Sequence, residues 1–160
     1  MKNDRFFLGI LIGIGAIILL SVVLVLINQN QAAYLSEDTP EGVVNNYLLA
    51  WYDEDYEKIE SYLMDHEYKP DLQMIIDAAI DNQYSLEMSG VYIESSFIYD
   101  NGTQASVIIS TANSSSGSYR KIYQSDDTVS LIKQDGHWKI EEFPHPYWGW
   151  SWYLPPDQYK

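Results

Sequence analysis

Residues 6–27, FFLGILIGIGAIILLSVVLVLI, make a run of 22 positions without one charged side chain. No other segment restricts the chain as strongly, because an ordinary globular surface leaves no room for so long an apolar stretch. As a helix it reaches about 33 Å, against roughly 30 Å of bilayer hydrocarbon. A cleaved secretory signal usually has an apolar region of only about 7–15 residues and ends at a small-x-small site. Here the following NQNQAAY puts Asn30 or Gln31 where a small residue is wanted. Residues 6–27 therefore read as a retained, single-pass transmembrane helix. Lys2 and Arg5 precede it, and the next base is Lys58. The positive-inside rule then holds residues 1–5 in the cytoplasm and exports the chain beyond residue 28. The expected location is the cell membrane, with the domain extracytoplasmic.

The exported portion is strongly acidic. Nine Lys and Arg oppose 23 Asp and Glu over 160 residues, a net charge of −14. Seven of those bases and 22 of those acids lie in residues 31–160. Such a surface repels phosphate backbones, so no nucleic-acid partner is expected. The absence of cysteine excludes a disulfide framework, a thiolate metal site and a cysteine nucleophile. His66, His137 and His145 show no i, i+4 pair, so neither a metal nor a cofactor is expected. The carboxylates of Asp53, Glu54, Asp55, Asp100, Asp126, Asp127 and Asp135 fall at helix starts, turns or polar strand positions. None is assigned a catalytic role.

Residues 28–38 are polar, lack helical periodicity and read as a tether. Thr39-Pro40-Glu41 then signals a helix start, with a capping hydroxyl, proline at the first position and a carboxylate at the positive dipole end. Val43, Val44, Tyr47, Leu48 and Trp51 define one apolar face. A second helix opens at Asp53-Glu54-Asp55 and aligns Tyr56, Ile59 and Leu63. A third starts near Pro70-Asp71, with Leu72, Ile75, Ile76, Ala79 and Ile80 on its stripe. His66 is expected to end the second helix, where a cation suits the negative dipole end.

From about residue 89 the period changes to 2, through Val91, Ile93, Phe97 and Tyr99. Asp100-Asn101-Gly102 predicts a hairpin turn, because Asn and Gly accept positive φ. Ala105, Val107 and Ile109 form the return strand, and Asn113–Ser118 is a loop. Tyr119–Lys133 is β-prone, with a bulge or bend expected at Ser125-Asp126-Asp127. Asp135-Gly136 makes a second tight turn into His137–Phe143. Helices followed by an antiparallel meander define an α+β fold, with three short helices on a curved sheet of about four strands.

The stretch TPEGVVNNYLLAWYDEDYEKIESYLM, followed much later by TVSLIKQDGHWKIEEF, resembles the nuclear transport factor 2-like superfamily. The family's final hairpin corresponds to Val129, Leu131, Asp135, Gly136, Trp138 and Ile140. The resemblance implies a cone-like domain over residues 39–143, whose helices close the concave face of a bent sheet. It also implies a pocket between them, with Tyr47, Trp51 and Tyr62 as ligand-binding candidates at its mouth. Packing of these rings in the core is the reading favoured over that one.

Residues 144–160 form an aromatic, proline-rich tail. Trp148, Trp150 and Trp152 share one side if the segment is extended, leaving Tyr147, Gly149 and Ser151 on the other. The tail either folds back over the domain or offers its indoles to a membrane, a sugar or a protein partner. The expected function is non-catalytic binding of a small ligand, an envelope protein partner or a second copy of the chain. An isomerase-, dehydratase- or hydrolase-type enzyme using the cone pocket is one alternative. A glycan- or envelope-binding module using the tail tryptophans is another.

Overall fold

The computed structural model describes residues 13–15, 17, 34–114 and 122–155. The chain divides into two compact units, residues 1–33 and residues 34–160. In the first, 13–15 and 17 are helical, and Ile14 and Ile17 are exposed. The remainder of the 6–27 run lies outside the described residues. Among the described residues no helix is long and apolar enough to cross a membrane.

The second unit is α+β. Helix α1 spans Pro40–Tyr52, and the Thr39 side chain accepts a hydrogen bond from the Gly42 N–H at 3.1 Å. Val43, Val44, Tyr47, Ala50 and Trp51 are buried along its inner face. The helix ends where Glu54 takes a positive φ of 56°. The Asp55 N–H reaches back to the Ala50 carbonyl at 2.9 Å and the Glu54 N–H to that of Trp51 at 3.3 Å, which is a Schellman ending. Asp55 then caps α2 (Tyr56–Tyr62) by accepting from the Lys58 N–H.

Helix α3 (Leu72–Met88) runs 17 residues, longer than the short helix expected, and passes without a loop into β1. It buries Ile75, Ala78, Ala79 and Asn82, whereas Leu72 and Ile80 are exposed. Two of the five stripe positions therefore face water. Helix α3 packs chiefly on α2, so only a narrow strip of its surface is covered.

Strands β1 (Ser89–Tyr99), β2 (Gln104–Ser114), β3 (Ile122–Gln134) and β4 (His137–Glu142) form one antiparallel sheet in the order β1-β2-β3-β4. Asp135 and Gly136 supply the positive φ values, 50° and 85°, of a two-residue hairpin between Gln134 and His137. The first hairpin is wider than predicted. Tyr99 pairs with Gln104, so four residues turn the chain, and the Thr103 hydroxyl donates to the Asp100 carbonyl at 2.7 Å.

The expected irregularity at Ser125-Asp126-Asp127 is not there: β2 and β3 stay in register from Gln104↔Ile132 to Ser114↔Ile122. Ser125 and Asp127 both turn toward Thr111, whose hydroxyl lies 2.7 Å from the Ser125 hydroxyl and 3.4 Å from the Asp127 carboxylate. Those cross-strand bonds keep a polar stretch within the ladder. Register shifts occur instead at Glu94 in β1 and beside Glu141 in β4.

One sheet face carries Ala105, Val107, Ile109, Val129, Leu131, Trp138 and Ile140 into the core. Helix α1 lies against β1, β2 and β4. Leu63 bridges to Ile140 just beyond α2, and the Met64 N–H donates to the Ile140 carbonyl at 2.9 Å. Residues 34–38 are docked rather than forming a free tether. Asn46, fully buried, accepts from the Leu35 N–H at 2.7 Å and donates to its carbonyl at 2.9 Å.

Candidate functional site

Tyr47, Trp51 and Tyr62 are all buried. Tyr47 and Trp51 meet other aromatic rings inside the domain, whereas Tyr62 meets a carboxylate. The Tyr47 hydroxyl donates to the Tyr147 carbonyl at 2.6 Å, 100 residues away. Its ring contacts Phe143 at 5.0 Å. Trp51 stacks on Trp152 at 6.4 Å and meets Tyr147 edge-on at 6.3 Å. The buried Trp51 Nε1 has no hydrogen-bond partner among the described residues. Tyr62 donates to the Glu37 carboxylate at 2.8 Å. Burial pushes the Tyr47 phenol well above its ordinary range. Burial raises Tyr62 in the same direction, reinforced by the Glu37 carboxylate. These rings hold their protons and act as packing.

The tail fills this side of the domain. It is not extended: the Tyr147 N–H bonds the Pro144 carbonyl, the Trp152 N–H that of Gly149, and the Leu154 N–H that of Ser151. Successive turns destroy the period-2 arrangement. Trp152 is 4% exposed, Trp148 half-buried and Trp150 81% exposed. Tyr147 and Gly149, expected on the opposite side, are buried. A Cβ on Gly149 would collide with the Trp152 indole, so this position needs the absence of a side chain. Trp148 stacks on Tyr153 at 5.6 Å, and the Tyr153 hydroxyl donates to the Met64 carbonyl at 2.7 Å.

Where the tail meets α3, a groove of about 390 Å³ opens, lined by Met74, Asp77, Ala78, Asp81, Asn82 and residues 149–152. Such volumes fall within the roughly 300–1,000 Å³ of ligand pockets. Asn82, 7% exposed, ties the two walls together. Its Nδ2 donates to the Pro146 carbonyl at 3.1 Å, and its Oδ1 stands 2.9 Å from the His145 Nε2. Because Oδ1 can only accept, the His145 Nε2 carries the hydrogen and donates. The His145 ring in turn stacks beneath Trp150, with centroids 5.3 Å apart.

Sequence reasoning singled out Trp150 but missed its partners. Asp77 and Asp81 show the i, i+4 spacing that puts both on one helix face. That signal was readable, whereas the Asn82–His145 contact spans 63 residues and leaves no local trace. His66 lies beyond the end of α2 rather than on it, with its Nδ1 accepting from the Tyr68 N–H at 3.2 Å. The helix stops at Tyr62 because Leu63 turns extended to reach Ile140. Among the described residues no group of three or more His, Asp and Glu side chains is placed to hold a metal ion.

No family model matches the chain, and no curated protein matches it. A SEC-C motif containing protein from Rhodopseudomonas palustris is similar over 68% of this chain and 79% of its own, at 18% identity and a TM-score of 0.48. Another from Psychrobacter arcticus is similar over 71% of this chain and 63% of its own, at 16% identity and 0.46. A protein of unknown function from Mycobacterium tuberculosis is similar over 62% of this chain and 64% of its own, at 18% identity and 0.43. Likenesses of this degree assign no activity.

Proposed function

We propose that the chain is a single-pass, membrane-anchored protein whose exported domain is nuclear transport factor 2-like. It binds a partner at the cell envelope without catalysing a reaction. The anchor rests on the uncharged 6–27 run and on the Lys2 and Arg5 asymmetry. The family reading rests on capped helices placed before a four-stranded meander with two register shifts, devices that bend a sheet. The burial of Val129, Leu131, Trp138 and Ile140 agrees with it.

One observation carries the choice of binding surface: the tail packs Tyr147 and Trp152 onto Trp51 and takes the Tyr47 hydroxyl on the Tyr147 carbonyl, while Trp150 stands exposed beside a groove. The working surface is the α3–tail groove, and the cone interior is structural. A photo-reactive amino acid at position 150 of the full chain, in intact cells, should give a discrete adduct. The same group at Tyr52, also exposed, should not. Equal labelling from both positions overturns the choice of surface. A carboxyl-terminal tag that stays protease-protected in intact cells overturns the topology.

A further inference from the structure

The groove between α3 and the tail has a definite chemical preference. Asp77 and Asp81 both line it, and none of its lining residues is basic. On the tail side stands Trp150, with most of its indole in water. That ring already has a stacking partner before any ligand arrives. His145 supports it from one side, and His145 is held by Asn82, whose amide is committed to the Pro146 carbonyl. Preorganisation of this kind lowers the entropy lost on binding.

An open aromatic surface beside two carboxylates suits a cation. The negative face of an indole attracts an ammonium or guanidinium group, and carboxylates add charge-assisted hydrogen bonds. Asp77 has one oxygen taken by the Gln73 amide at 2.8 Å, which orients the carboxylate from outside the groove. A neutral sugar would also stack on Trp150. It would leave two carboxylates in one groove without a counter-charge.

We infer that the α3–tail groove receives a lysine or arginine side chain from a basic peptide segment of a partner protein. This rests on the choice of binding surface made above and adds the chemistry of the occupant. The 22 acids against seven bases beyond residue 30 also favour association with a basic partner.

The test uses the full chain in nanodiscs of neutral phosphatidylcholine, which do not attract basic peptides themselves. Fluorescent Gly-Ser peptides carrying three arginines, three lysines or three citrullines are titrated against it. Binding of the arginine or lysine peptide is expected to weaken as salt rises. The citrulline peptide should bind at least about tenfold more weakly. Trp150→Ala and the pair Asp77→Asn with Asp81→Asn should each lose about tenfold. Both changes lie at exposed positions, and an unchanged melting temperature confirms the fold. The pair Glu57→Gln with Glu67→Gln removes the same charge elsewhere and should change binding less than about twofold.

Equal losses in both charge-removed pairs would mean attraction to overall acidity and would overturn the site. Equal binding of the citrulline peptide would overturn the cation. So would capture of a chitin oligosaccharide that depends on Trp150 but not on the two aspartates. A discrete adduct from position 150 combined with no peptide binding sinks the cation alone. Loss of both results sinks the groove as well.

Discussion

Tyr47 shows at the residue scale how this domain uses its aromatic content. Fully buried, with its hydroxyl on the Tyr147 carbonyl, it has no room to ionise. Burial raises Tyr147 and Tyr153 as well as Tyr62. An unfolded tyrosine loses its proton near pH 10. As pH climbs past 10 the unfolded chain therefore releases protons that the folded domain retains. The unfolded state then binds fewer protons, and unfolding free energy falls with rising pH. Below pH 10 this contribution is fully present and flat. Tyr47 alone should cost about 1.4 kcal/mol for each pH unit above 10. Melting temperature followed from pH 8 to 11.5 should drop beyond pH 10, and Tyr47→Phe should make the drop shallower. A flat profile, with every tyrosine titrating near pH 10 by ultraviolet absorbance, would show that these rings are not held neutral.

At the scale of elements, helix ends separate what local sequence specifies from what it does not. The Thr39 cap, the Asp55 cap and the Asp135-Gly136 hairpin were legible because each is completed within three or four residues. The α1 ending is less suited to its sequence. Glu54 occupies the left-handed C′ position where glycine is usual. Its side chain is exposed, so little is lost by removing it. Glu54→Gly should stabilise the domain by about 1 kcal/mol, since the left-handed conformation costs an L-residue roughly that much. The expected gain is about 4 °C in melting temperature, measured by circular dichroism. A loss would mean that the carboxylate contributes more than the strain costs. The tail turns, the α3 face and the unbroken Ser125–Asp127 segment escaped sequence reasoning for a common reason. Their partners are Tyr47 with Tyr147, Asn82 with Pro146 and Thr111 with Ser125, pairs 100, 64 and 14 residues apart. Periodicity reports which side of an element is apolar, and it carries no information about which distant carbonyl a side chain will find.

For the whole molecule, the α+β class and the meander order were readable from the change of period near residue 89. The candidate site was readable only in Trp150 and the Asp77/Asp81 spacing, because the groove exists only once the tail folds onto α3. The second unit begins ahead of Thr39, at Tyr34. Asn46 is fully buried, and both of its backbone hydrogen bonds go to Leu35. Tyr62 likewise depends on Glu37. Among the described residues the buried core runs from Val43 to Trp152, within the second unit. A chain starting at residue 34 should therefore fold with full stability. A chain starting at residue 39 takes both Leu35 partners from the Asn46 amide and leaves it the Asn45 Nδ2 at 3.4 Å, at a cost of about 1–3 kcal/mol. Urea unfolding of the two truncations should show the difference as a lower midpoint with an unchanged slope. If both truncations unfold at one midpoint, residues 34–38 are a tether after all. In that case water or a rearranged side chain satisfies Asn46 in their absence.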